Sequence, residues 1–455
     1  MAHDFDPSIL RQYDIRGVVG ETLHEDDARA LGRAFATMAD DRGLSRLAVA
    51  RDGRDHSPAM QSALIEGLRA GGMDVLDVGM GPSPMLYYAV ATRQVDGGIQ
   101  VTGSHNPADY NGFKMLLGGD SVHGEKVQEL GRIAAAGNWS EGSGSLKSID
   151  ILDDYVARLT EDFRGGAFRI GWDAGNGAAG PALDKLVETL PGEHHTLYTD
   201  VDGAFPNHHP DPTVEKNLAD LKDLVARENL DFGIAFDGDG DRIGAIDGKG
   251  RVIWGDQILM LLAKPVLAEH PGATIIADVK ASKTFFERIA QLDGAPLMWK
   301  TGHSLIKSKM KETGAPLAGE MSGHIFFKHR WYGFDDALYA AVRLIEAIDA
   351  SGRSLTELMD AMPQSVATPE MRFAVGDKDK FAVVEQLLAN LRASGADVDE
   401  TDGARVTTDD GWWLIRASNT QDVLAARAEA EDQEALDRLV AQIDSELGKL
   451  GVARS

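Results

Sequence analysis

Three times in this sequence a short apolar strand hands over to a polar, glycine-containing loop that opens a helix. A second apolar strand then delivers another polar loop. The first strands, residues 47–50, 168–172 and 273–277, run into Arg51-Asp52-Gly53-Arg54, Asp173-Ala174-Gly175-Asn176-Gly177 and Asp278-Val279-Lys280-Ala281-Ser282. The second strands, residues 98–101, 231–236 and 315–318, run into Thr102-Gly103-Ser104-His105-Asn106-Pro107, Asp237-Gly238-Asp239-Gly240-Asp241-Arg242 and Gly319-Glu320-Met321-Ser322-Gly323-His324. Apolar strands ending in polar loops and alternating with helices predict α/β units, which gather ligands at the carboxyl ends of their strands. A spacing of about a hundred residues predicts a degenerate repeat of three domains rather than one large sheet.

After Pro363 the pattern changes. A helix over 379–392, a strand-like 411–415 and a closing helix over 433–450, with Leu436, Leu439, Val440, Ile443 and Leu447 at helical spacing, predict a smaller α+β domain. Linkers are expected near Ser148 and Asp150, at 248–251 and at 362–365, which divides the 455 residues into 1–148, 149–250, 251–364 and 365–455.

The net charge of −26 argues against a nucleic-acid surface, so an anionic ligand needs a local cluster of Arg and Lys. The absence of cysteine removes disulfides, thiolate metal sites and cysteine nucleophiles. The acidic start, Met1-Ala2-His3-Asp4-Phe5-Asp6, has no apolar run, and the strongest such run, 258–263, is too short to span a bilayer. A cytoplasmic protein with no membrane partner is expected, and the sequon Asn138-Trp139-Ser140 is read as chance.

Asp237, Asp239 and Asp241, at i, i+2 and i+4 with glycines between them, can converge on one cation, and carboxylate-only ligation selects a hard ion, Mg²⁺ foremost. An EF-hand is excluded because its sixth position would be Arg242 and its twelfth Gly248. A phosphoryl group on Ser104 would suit such an ion, with Arg242 as a second cationic clamp. No Walker A sequence and no G-x-S-x-G elbow is present, so Ser104 reads as a phosphate carrier. Arg416-Ala417-Ser418-Asn419-Thr420 offers a guanidinium fork with hydroxyl, amide and backbone donors, which suits a phosphate dianion. Glu320, Ser322 and His324 suit sugar hydroxyls and proton transfer, and Lys114 lies close in sequence to the serine loop.

Together these four loops, in this order, resemble the signature loops of the α-D-phosphohexomutases, and the similarity spans essentially the whole chain. The resemblance implies three similar α/β, mixed-sheet domains plus a smaller α+β C-terminal domain around a central cleft, each contributing one loop. It implies Ser104 as a phosphoserine, which with Asp237, Asp239 and Asp241 holds one Mg²⁺. It implies Glu320 and Ser322 on the sugar hydroxyls, and Arg416, Ser418, Asn419 and Thr420 on the non-reacting phosphate. Tyr13-Asp14-Ile15-Arg16-Gly17 matches a family motif that places Tyr13 and Arg16 at the site, and Lys280 with Gly302 and His303 matches further substrate contacts. Gln421-Asp422 departs from the commoner proline-containing exit of the phosphate loop. Met321 is similar to the branch that acts on mannose and glucose phosphates, whereas phosphoglucosamine mutases typically carry glutamine there.

The expected reaction is reversible exchange of a hexose 1-phosphate with its 6-phosphate through a hexose 1,6-bisphosphate, in a monomer. Lys114 and His324 are the candidate proton-transfer groups. A phosphoglucosamine mutase, a Mg²⁺-dependent sugar phosphatase and a catalytically silent sugar-phosphate module are the alternatives.

Overall fold

The computed structural model describes residues 2–376, 378–419 and 423–454. Its first three sheets share one plan. In the first, Arg46–Arg51 lies between parallel Asp74–Met80 and Gly97–Val101, and Tyr110–Leu117 then pairs antiparallel with Gly97–Val101. In the second, Phe168–Asp173 lies between Gly192–Leu197 and Phe232–Phe236, and Ile243–Asp247 follows antiparallel. In the third, Thr274–Asp278 lies between Ala295–Trp299 and Leu317–Gly319, and Ile325–Phe327 follows antiparallel. The weak sequence repeat is therefore a repeat of topology. Parallel neighbours need a crossover helix, whereas an antiparallel pair needs only a hairpin connection. Each unit makes that change at the same place, so the Ser104, Asp237–Arg242 and Glu320–His324 loops occupy equivalent hairpin positions.

The fourth sheet is antiparallel throughout, and the loop between Gly411–Ala417 and Val423–Ala430 is again a hairpin connection. At the second expected linker the chain makes a tight turn. Residues 248–251 form the turn between Ile243–Asp247 and Val252–Ile253, two paired strands of the second sheet, so that sheet runs on to Ile253. Asp247 accepts from the backbone of Lys249 and Arg251 at 2.9 Å each, a tight turn that composition alone does not distinguish from a linker.

A continuous apolar core joins the first three units, running from Tyr87 and Tyr88 through Trp172 and Phe236 to Leu338 and Tyr339. The fourth unit has its own core around Phe373, Trp413, Leu424 and Leu439. It meets the third through Val279, Trp412 and Leu414, through Arg405 Nη1 donating to the carbonyls of Val279 (2.5 Å) and Ala281 (2.8 Å), and through Ser282 donating to Glu429 (2.7 Å). Among the described residues no helix is long and apolar enough to cross a membrane.

Asp336 caps the helix Ala337–Ser351, accepting from the Tyr339 N–H (3.0 Å) and the Tyr155 hydroxyl (2.9 Å) at 1% exposure. Burial pushes this carboxyl up to about 7, so the folded protein keeps its proton where the unfolded chain has lost it. The stabilising proton is fully present below the unfolded pKa and is lost as pH rises through about 7. Asp336→Asn keeps the cap without the buried charge. Equilibrium unfolding at pH 5 and pH 8 should show the variant gaining on the parent by a few kcal/mol, order of magnitude, at the higher pH. An unchanged difference would refute the assignment.

Candidate active site

The hairpin loops of the first two units meet face to face. Ser104, held at φ 47° with its N–H on Thr102 Oγ1 (2.8 Å), donates its hydroxyl to Asp237 Oδ2 at 2.9 Å. Beneath it lies Arg54, 1% exposed, whose guanidinium donates to the carbonyls of Ser104 (2.8 Å), Asn106 (2.7 Å), Tyr110 (3.0 Å) and Pro107. Asp52 anchors Arg54 Nε (3.2 Å), the Gly103 N–H (3.0 Å) and the Ser57 hydroxyl (2.5 Å). A Cβ at position 103 would stand 2.4 Å from Arg54 Cζ, so only glycine lets the loop wrap this side chain. Neither Arg54 nor Asp52 is marked as functional by the sequence. The signal available was their place at the end of a strand adjacent to the one that carries Ser104.

Asp237, Asp239 and Asp241 are all fully buried, with one carboxylate oxygen from each within 4.8 Å of the others. The loop curls because Asp237 Oδ1 accepts from the N–H groups of Asp241 and Arg242 at 3.1 Å each. Asp239 Oδ2 accepts from Ser83 Oγ (2.5 Å) and Lys114 Nζ (2.7 Å), and Lys114 also reaches Asp241 Oδ2. Ser83, another residue the sequence did not mark, opens the helix Ser83–Thr92 and aims its positive end at Asp239. Burial first, then Asp239 and Asp241, push the Asp237 carboxyl well up; burial acts upward on Asp239 too, but Lys114 with the hydroxyls of Ser83 and Ser104 together outweigh it. Burial pulls the Lys114 ammonium down, and the three carboxylates more than reverse that. Among the described residues, Asp239 Oδ1 and Asp241 Oδ1 have no hydrogen-bond partner. Three buried carboxylates, two with an unsatisfied oxygen, around an ammonium acting as partial stand-in fit a hard divalent cation.

Beside this centre Arg16, on the edge strand Ile15–Val18, holds Asn106 Oδ1 and Asp14 at 2.5 Å each. Arg242 Nε donates to His324 Nε2 at 3.0 Å, which ties the second loop to the third. His303 stacks on His324 with centroids 5.6 Å apart. Glu320 accepts from the Gly302 N–H and, at 3.2 Å, from the Ser322 hydroxyl. Asp278, pushed up to about 6 by burial against the opposing pull of Lys280, accepts from Thr301 Oγ1 and the Met321 N–H at 3.1 Å each.

From the fourth unit, Asn419 Nδ2 donates to the Tyr13 hydroxyl, which itself donates to the Thr301 carbonyl at 2.5 Å. A Cβ on Gly302 would lie 2.4 Å from the Tyr13 ring. Arg416 Nε is held by Asp402 at 2.9 Å, leaving Nη2 buried without a partner among the described residues, and the Ser418 N–H donates to the Val423 carbonyl at 3.0 Å. Lys280 stands between the third and fourth units, 3.9 Å from Asp278 and 3.8 Å from Glu370. Thr420 and Gln421-Asp422 lie outside the described residues. The structure thus brings Ser104, the three aspartates, Lys114, Arg242 and His324 into one cluster, with Tyr13, Gly302, His303, Glu320, Ser322, Arg416 and Asn419 along an adjoining polar wall.

Comparison with known proteins agrees with this architecture. The chain matches all four models of phosphoglucomutase/phosphomannomutase: alpha/beta/alpha domain I at 7–140, domain II at 153–250, domain III at 254–366 and the C-terminal domain at 370–446. It is 46% identical over 433 residues to the phosphomannomutase/phosphoglucomutase of Pseudomonas aeruginosa, covering 95% of this chain and 94% of that protein. It is 44% identical over 436 residues to a phosphoglucomutase of Neisseria meningitidis, covering 95% of each. The crystal structure of a phosphoglucomutase/phosphomannomutase family protein from Burkholderia thailandensis superposes with a TM-score of 0.93 at 44% identity over 97% of each chain. The chain therefore belongs to the phosphoglucomutase/phosphomannomutase family, within the α-D-phosphohexomutases. It is a hexose-phosphate mutase of the bacterial phosphomannomutase/phosphoglucomutase kind.

Proposed function

We propose that Ser104 carries a phosphoryl group and passes it to the free hydroxyl of a bound hexose 1-phosphate or 6-phosphate, of glucose or mannose. A hexose 1,6-bisphosphate forms, turns over without leaving, and returns its other phosphoryl group to Ser104. The observation that carries this reading is the 2.9 Å contact between Ser104 Oγ and Asp237, at the rim of the buried carboxylate trio. One Mg²⁺ per chain would be held by Asp237, Asp239, Asp241 and the Ser104 phosphate; when bound, it supplies a dication that offsets negative charge on the phosphoryl oxygens. Arg16 and Arg242 add fixed positive charge beside Ser104. Lys114 and His324 hold and move the proton of the attacking or leaving sugar oxygen. Glu320, Ser322, His303 and the Gly302 turn orient the sugar, while Tyr13, Lys280, Arg416, Ser418, Asn419 and Thr420 grip the distal phosphate.

The four units act as domains, 1–148, the next extended to Ile253, then up to 364, and 365–455. The fourth pivots on its contact with the third around Val279, Trp412 and Leu414 to close over substrate and exclude water. The enzyme works as a cytoplasmic monomer on phosphosugars, with no nucleic-acid or membrane partner. The distinguishing experiment is a coupled assay with glucose 1-phosphate and mannose 1-phosphate. Interconversion should be stimulated by catalytic hexose 1,6-bisphosphate, fall at least about 10²-fold on chelation and return with Mg²⁺. Steady release of inorganic phosphate instead of 6-phosphate would favour the phosphatase.

A further inference from the structure

The surroundings of His324 give its two ring nitrogens different tasks. Nε2 accepts from Arg242 Nε at 3.0 Å, so the proton of the neutral ring lies on Nδ1. Nδ1 stands 3.0 Å from Asp335 Oδ2, an ion-pair contact outside hydrogen-bond alignment, and 3.6 Å from Asp241 Oδ1; among the described residues neither Nδ1 nor Asp335 Oδ2 has another hydrogen-bond partner. A cation on the trio would engage Asp241, which leaves Asp335 as the anion free to serve the ring. Asp335, on the short strand Phe334–Asp335, is fully buried, and its other oxygen is fixed by Lys307 Nζ at 3.0 Å. Burial acts to raise the Asp335 carboxyl, but Lys307 and the two histidines hold it well below the usual range, so it is an anion. The ring itself is flanked by His303 (5.6 Å) and Phe326 (6.1 Å), which limit tilting but cannot select a tautomer.

We propose that Asp335 is a positioning residue for the mutase reaction: it holds His324 with its ring proton on Nδ1 and Nε2 turned to the substrate, and Lys307 fixes Asp335 in turn. A buried carboxylate behind an imidazole sets both tautomer and orientation, and its loss is felt in turnover more than in binding. When a substrate phosphate draws Arg242 away, Nε2 is left free and already aimed. The inference rests on the reading of His324 as a proton-transfer group.

The test uses ¹⁵N-histidine-labelled full-length enzyme with Mg²⁺, the His324 signals being assigned by their loss in His324→Asn. The parent should show the Nδ1–H tautomer. Asp335→Asn should show a mixed or reversed tautomer, with kcat down on the order of 10²-fold or more and KM for glucose 1-phosphate within about twofold. A parent with its proton on Nε2 overturns the proposal even if Asp335→Asn does not fold. So does an Asp335→Asn enzyme with unchanged kcat, or one whose KM and thermal stability deteriorate alongside kcat. If His324→Asn keeps full turnover, the proton-transfer reading itself fails; if His324→Asn is inactive and Asp335→Asn is not, only the role of Asp335 fails.

Discussion

Ser104→Ala should lower interconversion of glucose 1-phosphate and 6-phosphate by roughly 10³-fold or more, with sugar-phosphate binding retained. The hydroxyl lies 2.9 Å from Asp237 Oδ2 at the edge of the carboxylate trio, on the loop that the first unit presents to it. Among the described residues, the hydrogen bonds of Ser322, Arg416 and Asn419 run to Glu320, Asp402 and Tyr13, so the polar wall proposed to meet the sugar keeps its own partners. Alanine removes the hydroxyl's bonds to Asp237 and His105 and leaves Arg54 on the loop carbonyls, so the unfolding temperature should move by only a few degrees. The coupled assay with calorimetric binding of glucose 6-phosphate separates the outcomes. A silent binding module would show no turnover in either form, and a Ser104→Ala enzyme with near-parental turnover would remove the serine from the chemistry.

The second large effect is expected at Arg54. Arg54→Met nearly preserves length but strands the Asp52 charge and leaves the carbonyls of Ser104, Asn106, Pro107 and Tyr110 without their donor. Removing one partner of a buried pair costs about 3–5 kcal/mol, and the unsatisfied carbonyls add to it. Thermal unfolding should fall by many degrees and turnover by more than about 10²-fold, because the loop that presents Ser104 loses its support. Arg54→Lys should recover part of the stability but little of the turnover, since a point cation cannot fork across four carbonyls. A lysine enzyme with parental turnover would reduce Arg54 to a generic buried cation.

What the sequence revealed follows from distance along the chain. Asp237, Asp239 and Asp241 are legible because their convergence needs only five consecutive residues with glycine at the bends. The three α/β units are legible because each apolar strand ends locally in polar residues, and the structure turns that weak repeat into one strand order used three times. Arg54 is opaque because its partners lie 50 to 56 positions away, and Ser83 because it meets Asp239 across 156. Asp335 and Lys307 sit on a two-residue strand and a helix that resemble any others until the fold closes them on His324. Residues 15–18, inside what reads as a polar stretch, become a strand only because Tyr110–Leu117 offers an edge to pair with. The turn at 248–251 reads either way from sequence, since a glycine and charged residues mark hairpins and linkers alike.

The most direct measurement follows a labelled phosphoryl group through one turnover. Enzyme incubated with Mg²⁺ and ³²P-labelled glucose 1,6-bisphosphate, then digested, should carry the label on the peptide containing Ser104. A chase with unlabelled glucose 1-phosphate should move it into hexose phosphate at the rate of turnover. Label on another residue, no labelled peptide at all, or label that leaves only as inorganic phosphate would contradict the shared site of Ser104 and the carboxylate trio.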